Sequence, residues 1–159
     1  MKQIANFGGS STSTAKETIS KVKTTRETVT SSTTLQDDED FTFELKANTT
    51  YSINSNLFVS GSSACGFKWL FTVPSGANGR INATSNSSNY VSIDTDIATG
   101  FSPIDGVGLT TTAANGNYRL LGFITTTNAG TLTFQWAQKQ SSATAAYIER
   151  GSTMILTEV

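Results

Sequence analysis

The sequence predicts an all-β protein, a jelly-roll-type antiparallel sandwich carrying an extended N-terminal arm. Three observations carry this. Apolar and aromatic residues alternate with polar ones at a period of two along much of the chain, the pattern of half-buried strands. Turn formers such as Asn78-Gly79 and Asn115-Gly116 punctuate those stretches. After residue 34 nothing has a convincing helical period. A regular series of short strands of this kind builds a sandwich, jelly roll or barrel.

Taken in order, residues 1–33 read as the arm. Phe7 is their only aromatic, and Ile4, Ile19, Val22 and Val29 stand far apart. Such a segment buries too little apolar surface to fold by itself. The body, 34–159, begins with Phe41, Phe43 and Leu45 on one parity. Tyr51, Ile53, Ser55, Leu57 and Val59 share another, followed by Phe67, Trp69, Phe71 and Val73 and then Leu132, Phe134 and Trp136. Weaker strands are expected at 80–83, 90–94, 107–112, 118–127, 147–149 and 153–159. Two stretches look apolar on both faces: Leu120 and Ile124 oppose Leu121 and Phe123, and Met154 and Leu156 oppose Ile155 and Val159. A sandwich covers one face of each sheet. Leu121, Phe123, Met154 and Leu156 are therefore expected at an interface with another subunit of a cyclic oligomer.

Composition narrows the function. The 159 residues carry 11 Lys+Arg and 12 Asp+Glu, with one Cys and no His. Without His, neither a Ser-His-Asp nor a Cys-His nucleophile can be assembled, and the His-containing zinc sites are excluded. One Cys forms no intrachain disulfide. Near-neutral charge speaks against nucleic acid as a partner. No apolar run is long enough for a membrane span, and the first residues do not read as a signal peptide. No cofactor is implied.

Four segments resemble a structural module of tailed bacteriophages. They are TTLQDDEDFTFELKANTTYSI, GFKWLFTVPSGANG, AGTLTFQWAQ and the terminal GSTMILTEV. The resemblance spans roughly residues 33–159. It implies a trimeric jelly roll broadly like the tumour-necrosis-factor and C1q heads, found in capsid decoration proteins and in tails and fibres. The chain departs from the pattern in the polar loop Asn82–Asn89 and in the length of its arm.

The densest charge is Asp37-Asp38-Glu39-Asp40. It reads as a solvated turn or as a docking point for Lys or Arg of a neighbouring subunit; it lacks the spacing of a calcium loop. Asp94, Asp96 and Asp105 read as water-facing strand ends rather than a catalytic pair. Cys65 reads as a small buried hydrophobe, and Trp69 and Trp136 as core rather than a sugar platform. The arm offers Lys16, Lys21, Lys23 and Arg26 for charge contacts and Ile19, Val22 and Val29 for apolar docking.

The resulting expectation is a non-enzymatic virion protein, made in the host cytoplasm. It decorates the outer capsid as a trimer and clamps the major capsid protein through its arms, whose multivalency sums weak contacts. The alternative is a fibre or receptor-binding tip that recognises a host surface glycan or protein.

Overall fold

The computed structural model describes residues 15–62, 64–85, 93–96, 104–106 and 116–159. These form two antiparallel sheets with no helix among the described residues, so the all-β sandwich is present. The strands are β1 (Thr18–Val22), β2 (Glu27–Val29), β3 (Gln36–Leu45), β4 (Thr50–Gly61), β5 (Phe67–Thr72) and β6 (Asn78–Ser85). They continue with β7 (Ile93–Asp96), β8 (Ile104–Gly106), β9 (Gly116–Thr125), β10 (Gly130–Ala137), β11 (Ala146–Ile148) and β12 (Thr153–Glu158).

The larger sheet runs β1-β12-β4-β9-β6-β7, with β2 and β11 continuing the β1 and β12 rows along β4. The smaller sheet runs β3-β10-β5-β8. Long β4 is the organiser. It pairs with all of β9 on one side and with β12 and then β11 on the other. The core lies between the sheets. Phe41, Phe67, Trp69, Phe71, Phe134 and Trp136 of the smaller sheet meet Tyr51, Ile53, Leu57, Ile81, Leu120 and Ile124 of the larger. Trp69 stacks on Phe134 with ring centres 6.1 Å apart, and Phe71 meets Phe134 edge-on at 5.3 Å. Such aromatic pairs add attraction beyond the area they bury.

Two expectations are corrected. Residues 18–29 are not a separate arm. β1 pairs with β12 and β2 with β11, so the sandwich begins well before residue 34. The apolar count misled because this strap lies along an existing sheet edge, which asks for only one inward row of residues. Expectations about residues 1–14 lie outside the described residues. Met154 and Leu156, expected at an interface between subunits, are fully buried in the chain's own core.

Candidate functional site

On β1 the inward row is Ile19 and Lys21, continued by Lys23 just beyond the strand, while Thr18, Ser20 and Val22 face solvent. The lysine stems roof the seam between the sheets. The Lys21 ammonium stands 5.4 Å from the centre of the Phe43 ring, and that of Lys23 5.5 Å from Phe41. Long cationic side chains cover apolar surface with their methylenes, and their charge is drawn to an aromatic face. Inward charge also suits an edge strand, since it discourages pairing with foreign strands.

Lys23 is only 1% exposed. Its backbone N–H donates to the Ser152 carbonyl, and its own carbonyl accepts from Gly151. Its ammonium donates to Glu27 Oε2 at 2.7 Å, Asp38 Oδ1 at 3.0 Å and Asp40 Oδ2 at 3.1 Å. The acidic run reaches it through a bulge. Between Thr42 and Asp37, β3 takes five residue steps where β10 takes two, from Thr133 to Gln135. Bulges re-aim side chains in this way. Asp38 Oδ1 closes the bulge by accepting the N–H groups of Asp40 and Phe41.

Burial, then the charge of Glu27, pushes the Asp38 carboxyl up to about 6, against the pull of Lys23. For Lys23, burial works to lower the pKa, but hydrogen bonds to Glu27 and Asp38 outweigh it and hold the ammonium above its ordinary value. The sharper reading of the acidic run, a dock for a basic group of another subunit, is thus revised. The cation that Asp38 and Asp40 hold belongs to the same chain. Asp37 instead accepts a hydrogen bond from the Gln135 amide, and Glu39 reaches the cluster only through its backbone N–H, which donates to Glu27.

The remaining strap charges are also engaged. Arg26 pairs with Glu149 at 2.7 Å and lies over the Tyr147 ring. Lys46 bridges Glu17 at 2.7 Å and Glu158 at 3.4 Å. Lys16 is exposed beside a shallow recess of about 290 Å³, lined with Ala15, Lys46, Glu158 and Val159. Ile19 is half-buried, Val29 lies in the core, and Val22 is 51% exposed.

The other distinctive surface is the outer face of the larger sheet. On its central strand β9, Leu121 and Phe123 are 40% and 43% exposed. Asn54 and Ser52 flank them on β4, with Asn82 and Arg80 on β6. Gly122 sits between them on the inner parity. A Cβ there would run into the Arg80 carbonyl and the Ile81 side chain, so β6 and β9 lie unusually close. Leu120 and Ile124, also inward, fill the core.

Cys65 is buried, with its thiol donating to the Ser62 carbonyl, and Trp69 and Trp136 are core residues. Among the described residues no three His, Cys, Asp or Glu side chains are grouped to hold a metal. Asp94, Asp96 and Asp105 lie on β7 and β8, whose side chains fall outside the described set, as does most of the polar loop after Asn82.

No family model and no curated protein matches the chain. Among solved structures it is similar to one described as "Structure of infectious bursal disease virus Gt strain", at 12% sequence identity and a TM-score of 0.31. That likeness covers 90% of this chain, which spans only 37% of the other.

Proposed function

We propose that this chain is a structural subunit of a virus particle, a capsid decoration protein of the tailed-bacteriophage kind. Three copies associate through the outer face of the larger sheet. The segment preceding β1 holds the trimer on the major capsid protein at the outer capsid surface. The observation that carries this reading is the outward pair Leu121 and Phe123 at the centre of a broad, mostly uncharged sheet face. Apolar side chains grouped on a surface mark interaction sites. The motif resemblance over residues 33–159 supplies the class of particle.

The contacts with the coat shift relative to the sequence expectation. Lys21, Lys23, Arg26 and Val29 serve the sandwich itself. Residues 1–14, together with the exposed Lys16 and Val22, make the contact in this reading. The protein performs no catalysis and needs no cofactor.

The test is to mix intact protein and a variant lacking residues 1–14 with undecorated capsids and to sediment them. Intact protein pellets with capsids and the truncated form stays behind. Full-strength binding by the truncated form would move the anchor to the sandwich. Binding of the intact protein to tail or fibre components instead would favour a receptor-binding tip.

A further inference from the structure

Lys23 meets three carboxylates, from Glu27, Asp38 and Asp40, so the fully ionised cluster carries a net charge of −2. Asp38 is buried, and its two oxygens are used unequally. Oδ1 accepts from Lys23, Asp40 N–H and Phe41 N–H, while Oδ2 is buried and has no hydrogen-bond partner among the described residues. A buried, unpartnered carboxylate oxygen is costly when charged. A proton placed on Oδ2 removes that charge and disturbs none of the three bonds at Oδ1.

The groups facing Asp38 from each neighbouring element are few. The β1–β2 segment supplies Lys23 and Glu27, and β3 supplies Asp40. The amide of Gln36 donates to Glu27 Oε1. The turn between β11 and β12 contributes backbone only, through Gly151 and Ser152, and the Glu149 carboxylate is turned to Arg26 and Ser60.

We propose that Lys23, Glu27, Asp38 and Asp40 form a proton-operated latch, in which proton uptake at Asp38 tightens the hold of the β1–β2 strap on β3 and proton loss loosens it. The cluster is the point where the outermost row of the larger sheet is tied to the opposite sheet, so its charge acts on the strap before the rest of the core. Sheet edges open locally at lower free energy than central strands. The device works in the isolated chain and does not depend on the role in a virus particle.

The experiment is amide hydrogen exchange of the full chain between about pH 7.5 and about pH 5, corrected for intrinsic rates, together with carbon-detected titration of the Asp38 carboxyl. In the closed strap Asp38 titrates near 6, against 3.8 ordinarily. Protection of the strap amides at 18–29, which exchange by local opening of the edge, therefore rises about tenfold on acidification. Asp38→Asn mimics the protonated acid, and its strap stays protected across the range. The proposal fails if wild-type strap protection is flat with pH, if Asp38→Asn keeps the rise, or if the Asp38 carboxyl titrates at its ordinary value.

Discussion

The strap and the central strand β9 invert the usual rule in opposite directions. On the strap, lysines point inward and Val22 points out; on β9, Arg119 and the apolar Leu121 and Phe123 point out together. Parity decides both cases. A side chain goes where its strand register sends it, and chemistry then adapts. For Lys23 the adaptation is three carboxylates and an aromatic ring. For Leu121 and Phe123 nothing among the described residues supplies it, which is why the proposed contact with another copy is placed there. The lesson is that a charged residue can belong to the interior and an apolar one to the surface.

The comparison can be broken most severely at the strap. Deleting residues 1–32 removes β1, β2 and Lys23, bares the edges of β12 and β11, and uncovers Phe41 and Phe43. The expected cost is a large share of a domain's whole stability, about 5–15 kcal/mol, so cooperative thermal unfolding by circular dichroism should vanish. Deleting only residues 1–14 should leave the melting temperature unchanged.

Next in size is Lys23→Met. It keeps the stem over Phe41 but strands Glu27 and Asp38 as buried charges, which should cost about 3–5 kcal/mol in chemical denaturation. Adding Asp38→Asn should restore part of the loss. A fully additive double variant would mean that the two residues are not coupled.

Acidity should sharpen the picture with a smaller effect. Asp38 has a raised carboxyl in the folded chain, so the folded state binds its proton more tightly than the unfolded state. Stability should rise as pH falls through about 6, by on the order of 1–3 kcal/mol. Glu149 pulls the other way at lower pH. Burial would raise its pKa, but the Ser60 hydroxyl and Arg26 hold it below its ordinary 4.5. The stability it contributes is present above that value and lost as pH falls through the folded pKa. Denaturation midpoints measured across pH should therefore peak near about pH 5. A monotonic fall from neutrality would remove the role given to Asp38.

Much of the sandwich was legible in the sequence. Alternation at Phe41–Leu45, Tyr51–Val59, Phe67–Val73 and Leu132–Trp136 corresponds to β3, β4, β5 and β10. Both-face apolarity correctly placed Leu121 and Phe123 opposite Leu120 and Ile124. Parity alone does not say which face is inner, and so it could not show that Met154 and Leu156 are core. The strap was missed because its inward row mixes Ile19 with two lysines. The alternation of Thr18, Ser20 and Val22 against that row was the available signal. The acidic run was misread because the counter-charge of Asp38 lies 15 residues earlier, brought near only by the fold. The bulge in β3 that aims Asp38 and Asp40 has no local sequence mark that alternation would reveal.

The central claim is that Leu121 and Phe123 serve another copy rather than their own fold, and mass with stability of Phe123→Asp and Leu121→Asp tests it most directly. Exposed in the single chain, these positions should tolerate Asp at a cost within about 0.5 kcal/mol for the isolated subunit. At an interface the same charge would be buried without a partner. Light scattering should give a trimer for the wild type and a monomer for each variant, with subunit unfolding midpoints unchanged once dissociated. An unchanged trimer in both variants, or a wild type that is monomeric throughout, would contradict the assignment.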